Sequence, residues 1–464
     1  MKNNLIKKNL LDQKTIVNIL FIALLLIFIF FAAYFALKLR RGIIPDEPAH
    51  LYMSQQFSTT LGIPPNTDTS LTLGLENMNR KPFLYYWLNG RVLAFLWLIW
   101  PAISDWQQLV FLRLTSIFYS VLSIIFCYKL AKEVIKSHWA HLLVVFMITS
   151  TLMFVFLSGG VSYDNFINLC CFAGIYYLVR VLKGKPFFSN SLGWLACIAT
   201  GTLAKITVLP LAAIMGLLWL IFIAKNRHQI NFRPDLNWKL ISLLILVILL
   251  LGLNLSIYGV NLIKYRSPSP TCNEILTSEQ CDLSVFVARA EKLNYPEKKL
   301  TLLDVIKKHK PDPLEYMADY WFASMFMRIY GIMGHRAYYP DLIITIYRLF
   351  YFIVFLAAVC HWKKPTFVVG NLIAILITYT MVLFWTNYNY ELTTNFQHIA
   401  IQGRYLFPVI GILYTLMVYH ITRIPNAFIR WLIVAFALLL FFLGSPLAVF
   451  IRSSADLANW FILY

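Results

Sequence analysis

The chain has 464 residues, of which 59% are hydrophobic and 13% charged, and its formal net charge is +19. A soluble domain carries about 25% charged and 45–50% apolar residues, so this surplus, gathered in long apolar runs, indicates a polytopic membrane protein and excludes a soluble enzyme. Lys and Arg flank those runs rather than forming one basic face, which argues against nucleic acid as a partner.

The basic N-terminus, with Lys2, Lys7 and Lys8, precedes the apolar run 16–37. That run is longer than the apolar stretch of a signal peptide, and no small-residue cleavage site follows it. It reads as a retained first helix with a cytoplasmic N-terminus. Further runs at 109–130, 139–158, 165–182, 190–205, 206–224, 239–260, 342–360, 365–386, 402–420 and 427–451 are near crossing length, 190–205 being short. Lys205 and Pro210 divide 190–224 into two helices. The expectation is an all-α membrane protein with about 11 spans and a single membrane domain over 1–464.

The run 82–103 is also long enough to cross. Counting it would turn four basic loops, at 129–136, 183–185, 225–228 and 361–364, to the outside; omitting it puts all four inside. Its Tyr and Trp content, with Asn89, Gly90 and Arg91, suits a helix lying along the interface. Lys38, Arg40 and Arg41 then face outward, against the charge rule. The outer pieces become loop 38–108, turn 158–164, insertion 261–341 with a helical pattern at 284–310, and loop 387–401, and the C-terminus lies outside. Cys127, Cys170, Cys171, Cys197 and Cys360 lie in or beside apolar runs and read as core residues. Cys272 and Cys281, in the polar insertion, are placed to form a disulfide in an oxidising compartment.

Four polar groups share this outer face. They are Pro45-Asp46-Glu47-Pro48-Ala49-His50, the turn Ser158–Asn165 with Asp164, Lys205 within an apolar run, and Gln402-Gly403-Arg404-Tyr405 at the start of a span. Ionisable residues at membrane depth are costly and mark candidate sites. Sugar transfer from a lipid-linked phosphate needs a base for the acceptor hydroxyl, cations for the departing phosphate and an apolar flank for the lipid. Asp46 suits the base. Arg404 and Lys205 suit the phosphate, with Gln402 and Tyr405 beside them. Glu47, Asp164 and His50 are placed to orient the acceptor or hold a cation such as Mg or Mn, although no spacing demands a metal. Each residue also has a plainer reading. Asp46 and Glu47 can start a helix, Asp164 can be the N-cap of 165–182, Lys205 can snorkel, Arg404 can meet headgroups, and His50 can be packed or solvated.

Together these motifs resemble the GT-C glycosyltransferases, the polytopic class that uses polyprenyl-phosphate sugars. An acidic pair follows the first helix, Lys81-Pro82-Phe83-Leu84-Tyr85-Tyr86-Trp87 follows that, Arg113-Leu114-Thr115-Ser116 opens the second span, and Asp164 lies in the next outer loop. The chain more closely resembles a bacterial group of predicted membrane proteins of unknown function. The matching patterns are Pro-Asp-Glu-Pro-Ala-His at 45–50, Gly-Val-x-x-Asp at 160–164 and Gln-Gly-Arg-Tyr-x-x-Pro at 402–408, with Ser162 where that group has Asn. The resemblance implies Asp46 as the base or a metal-proximal residue, with Glu47 beside it, and an inverting transfer without a covalent intermediate. The resulting expectation is an inner-membrane glycosyltransferase with an outward site, a polyprenyl-phosphate-linked sugar as donor and an envelope glycan, lipid or protein as acceptor. The alternatives are a lipid or glycan transporter, which usually shows repeats and paired broken helices, and a non-catalytic envelope-assembly partner.

Overall fold

Backbone polar groups in hydrocarbon are satisfied only within helices or closed barrels, and the apolar runs of this chain form helices. The structure, a computed structural model, describes the chain apart from residues 1, 76–77, 231–236, 294–300, 309–311, 334–335, 338–339, 362–363, 395–400, 448–456, 458 and 463–464. Among the described residues, eight helices are long and apolar enough to cross a membrane: Gln13–Lys38, Asp105–Val134, Tyr163–Leu182, Ile206–Asn226, Trp238–Tyr265, Asp341–Cys360, Phe367–Thr394 and Gly403–Ile421. A ninth crossing is a broken one, His138–Thr149 with Leu152–Ser158, bent by 67°. Helices Phe187–Ala204 and Ala427–Leu443, of 18 and 17 residues, stand at the two remaining expected positions. The protein is an all-α, multi-pass membrane protein; its described strand pairing is one two-residue hairpin, Ile332–Met333 with Arg336–Ala337, and one isolated bridge.

The boundaries differ from expectation in places. Phe367–Thr394 continues through most of the expected loop 387–401, whose residues 395–400 lie outside the described chain. The last helix stops at Leu443 rather than 451. Trp238–Tyr265 carries its helix past 261 into the expected insertion. Beyond it the chain forms short helices, of which Cys272–Ile275 and Ser278–Asp282 start at capping boxes, Thr271 with Glu274 and Thr277 with Gln280. Cys272 and Cys281 are disulfide-bonded. Of the other cysteines, Cys127, Cys170 and Cys171 are buried, whereas Cys197 is half-buried and Cys360 is exposed at the end of its helix.

The run 82–103 forms the 16-residue helix Leu84–Ile99, which crosses the acidic-motif helix Glu47–Thr59. The two meet at Gly90, where an added Cβ would come within 2.7 Å of the Phe57 backbone. Arg91 then donates to the Phe57 and Thr60 carbonyls, and Trp87 Nε1 donates to the Leu61 carbonyl at 3.1 Å. Cationic and N–H donors thus cover the open carbonyl end of the motif helix. The tail near the C-terminus pairs with the end of the first helix, Arg40 N donating to Trp460 O and Ile462 N to Lys38 O. Residues 38–40 and 460–462 therefore lie at the same end of the bundle.

Candidate active site

The first helix ends at Lys38, and the chain turns back at Gly42 before reaching the acidic motif. Asp46 occupies the left-handed region, φ 61° and ψ 6°, immediately before Glu47–Thr59, with Pro48 in the first turn. Few non-glycine residues adopt this conformation, and Asp is among those that do. Its carboxylate makes no cap hydrogen bond to the helix. Instead Asp46 Oδ2 accepts a 2.7 Å bond from Arg404 Nη2, and the Asp46 side chain remains 50% exposed. The helix-start role open to Asp46 from sequence is therefore not how its carboxylate is used.

Glu47 faces the other way. It is fully buried and accepts from Arg113 Nε at 2.9 Å and Nη2 at 2.7 Å, from Val161 N at 3.2 Å and from Gly42 N at 3.4 Å. Arg113 also donates to the carbonyls of Ala36, Leu39 and Arg40. This bidentate pair joins the end of the first helix, the motif helix, helix Asp105–Val134 and the turn before Tyr163. The expected position of Glu47 beside the acceptor is corrected: its lone pairs are taken by Arg113 and by backbone.

The turn at 158–164 is built by its own polar residues. Asn165 Nδ2 donates to the Leu157 and Gly160 carbonyls, and Ser162 Oγ caps helix Tyr163–Leu182 by accepting from Asp164 N at 3.2 Å. Asp164 is therefore in the first turn rather than at the N-cap. Its Oδ1 accepts from Lys205 Nζ at 2.8 Å, and its Oδ2 lies 3.4 Å from Arg404 Nε as an ion pair. Lys205 occupies the extended break between Phe187–Ala204 and Ile206–Val208, so its side chain leaves both helices. It does not snorkel outward: Nζ lies 4.2 Å from the centre of the Tyr163 ring and 4.5 Å from that of Tyr405.

Arg404 sits on the short turn Gly403–Leu406, and Gly403 brings that turn against Arg328 so closely that an added Cβ would meet the Arg328 carbonyl carbon at 2.7 Å. Arg404 is almost fully buried, and its Nε and Nη1 find no hydrogen-bond partner among the described residues. Gln402 and Tyr405 are half-buried beside it; the Tyr405 ring is 5.7 Å from the Arg404 guanidinium, and the Tyr405 carbonyl accepts from Tyr379. His50 is buried beneath, with Nδ1 3.0 Å from Tyr86 Oη and its ring edge-on to Tyr163 at 4.5 Å. Burial pulls the imidazole down to about 4, against the opposing pull of Asp46 and Asp164. His50 is therefore neutral near pH 7.

The structure thus brings Asp46, Arg404, Asp164 and Lys205 into one alternating chain of charges, with His50 and Tyr405 alongside. Of the three carboxylates that suit a hard cation, Glu47 is enclosed by Arg113, and Asp46 and Asp164 each face a cationic side chain. Among the described residues no group of three or more His, Cys, Asp or Glu is placed to hold a metal ion. Sequence reasoning gave no site role to Arg113, Tyr163 or Arg328. Arg113, a charge near the start of an apolar run, carried a signal; Arg328 lies in the insertion without any motif. Burial and the charge of Arg404 pull the Arg328 guanidinium below its ordinary value. Beside Arg328 and Arg404 begins an apolar cavity of about 270 Å³, lined by Met325, Ile329, Leu376, Met381, Leu406 and Leu413 among others.

No family model matches the chain, and no curated protein matches it. Among solved structures it is similar to ArnT from Cupriavidus metallidurans bound to undecaprenyl phosphate, at 14% identity and a TM-score of 0.47 over 89% of this chain and 61% of that one. It is also similar to the Archaeoglobus fulgidus oligosaccharyltransferase tethered to an acceptor peptide, at 11% identity and a TM-score of 0.43 over 91% of this chain and 53% of that one. The chain thus spans about three-fifths or less of the solved proteins it matches.

Proposed function

We propose that this protein is a glycosyltransferase of the inner membrane, transferring a sugar from a polyprenyl-phosphate donor to an envelope glycan, lipid or protein acceptor on the outer face. The observation that carries this reading is Asp46: a half-exposed carboxylate in left-handed backbone, 2.7 Å from a buried arginine whose Nε and Nη1 have no hydrogen-bond partner among the described residues. A base must be reachable by the acceptor, and Asp46 is. A departing phosphate needs preorganised donors, and Arg404 offers Nε and Nη1 with Lys205 close by. The apolar cavity beginning at Ile329 and Leu406 suits an isoprenoid tail whose phosphate sits on Arg404. Outward orientation is supported by the basic loops at the far ends of the spans.

In this scheme Asp46 takes the proton of the acceptor hydroxyl. The hydroxyl oxygen bonds to the anomeric carbon, the bond from that carbon to the phosphate oxygen breaks, and polyprenyl phosphate leaves with the electron pair. One displacement inverts the anomeric centre. Asp164 holds Lys205 and Arg404 in place, and Glu47 fixes the motif helix through Arg113. No step of this scheme runs through a divalent cation.

The test is transfer by membranes supplied with labelled polyprenyl-phosphate sugars. Asp46→Asn is expected to lose about 10²–10⁴-fold of the rate, the usual worth of a general base. Arg404→Gln is expected to raise the donor concentration needed for half-maximal rate. Transfer at the wild-type rate by Asp46→Asn would exclude it as the base. Labelled lipid crossing proteoliposomes without sugar release would favour transport instead.

A further inference from the structure

The broken helix and helix Gly403–Ile421 both reach the candidate site at one end, through the turn after Ser158 and through Arg404. At about 1.5 Å per residue, the 19 residues of Gly403–Ile421 span about 28 Å, close to the roughly 30 Å of a hydrocarbon core. Their far ends therefore lie at the opposite membrane interface. There a second cavity of about 270 Å³ opens between the start of His138–Thr149, the end of Gly403–Ile421 and the start of Ala427–Leu443. Its floor is apolar, with Leu143, Val418 and Val434, and its rim carries Trp139, Trp431 and Arg430.

The rim has the composition of a headgroup site. Trp139 is 47% and Trp431 62% exposed, and indole rings favour the interface. Arg430 spends one donor on the Ile424 carbonyl at 3.1 Å and makes no ion pair among the described residues. Lys136 and Arg423 stand next in the chain to the lining residues Ser137 and Thr422. Over 129–143 and 418–434 the sole acid is Glu133, and it is already bound by Lys183 and Lys185. Among the described residues the cavity therefore presents positive charge with no acid paired to it, above an apolar floor and between two tryptophans.

We infer that this cavity is a binding site for an anionic glycerophospholipid, its phosphate on Arg430 and one acyl chain against Leu143, Val418 and Val434. Basic pockets between membrane helices bind anionic headgroups in this way. The site is separate from the one assigned to the donor and does not depend on the glycosyltransferase reading.

The test uses the full-length protein in neutral detergent micelles, titrated with dioleoyl phosphatidylglycerol or dioleoyl phosphatidylcholine. Binding is read by native mass spectrometry and by the shift in unfolding temperature. Phosphatidylglycerol is expected to bind and raise the unfolding temperature, phosphatidylcholine to do so far less, and free glycerol phosphate not at all at the same concentration. Arg430→Gln is expected to weaken phosphatidylglycerol binding about fivefold, the worth of one interfacial cation, and Arg430→Lys to retain most of it. A photoreactive residue replacing Trp431 should crosslink to phosphatidylglycerol, which keeps the idea testable if Arg430→Gln fails to fold. Equal binding of the two lipids, binding of glycerol phosphate alone, unchanged affinity in Arg430→Gln, or a crosslink to a second copy of the chain would each overturn the assignment.

Discussion

Two adjacent acids, Asp46 and Glu47, have opposite surroundings. Asp46, at φ 61°, presents its carboxylate to Arg404 and the surface, whereas Glu47, one residue on, is sealed against Arg113. Asn tolerates left-handed backbone nearly as well as Asp and Ala does not. Asp46→Asn should therefore leave the unfolding temperature near the wild-type value, while Asp46→Ala should cost about 1–2 kcal/mol; thermal unfolding in detergent of both variants checks this. Glu47→Gln should behave differently, because Arg113 would be left as an uncompensated buried charge at a cost of about 3–5 kcal/mol. Adding Arg113→Met should restore part of that loss. His50 gives a pH signature. Its folded value, about 4, lies below its ordinary 6.5, so the unfolded state takes up the proton first. The stability it contributes is full above pH 6.5 and is lost as pH falls toward 4. Unfolding temperature followed over that interval should fall more for the wild type than for His50→Gln; equal slopes would refute a buried neutral imidazole. Asp46, Glu47, Asp164, Lys205 and Arg404 were legible in the sequence as ions at membrane depth; Arg113 and Arg328 were not given a role there. The split between Asp46 and Glu47 was not legible, because adjacency in sequence says nothing of surroundings.

At the level of helices, apolar run length located the long membrane helices, since hydrocarbon allows the backbone few other solutions. What run length missed were interruptions settled by distant partners. The break at Ser150 and Thr151 is held by Thr151 Oγ1, which meets both the Met147 carbonyl and Tyr414 Oη, 263 residues away. Lys205 was readable as a break because an ion within an apolar run is itself a local signal. The helix Leu84–Ile99 illustrates how close packing sets the site from outside it. Gly90 lets this helix lie directly on Phe57 while Tyr86 reaches His50. Gly90→Ala should push the two helices apart, costing about 1–3 kcal/mol as overpacking does, and should lower activity without changing any charged group. Unfolding temperature and transfer rate measured together would show it; an unaltered unfolding temperature would mean the crossing is looser than 2.7 Å implies.

At the scale of the whole molecule, parity of the basic loops and the convergence of residues 46, 164, 205 and 404 agree on one membrane end for the site. Cysteines introduced near 290 and near 184 separate the faces: an impermeant thiol reagent applied from outside should label the first and miss the second. The reverse pattern would invert the arrangement proposed here. The convergence itself lay beyond sequence reasoning, which supplied sidedness but no distances. Asp46 and Arg404 are 358 residues apart and share one hydrogen bond. Because the acidic loop is translated early and Arg404 some 358 residues later, a ribosome must deliver all the intervening membrane helices before these groups can meet. A nascent chain halted anywhere before residue 403 holds an acid with no arginine to complete it. Premature products of translation would thus be chemically silent in the membrane, and synthesis itself would act as the last control on when the protein becomes competent.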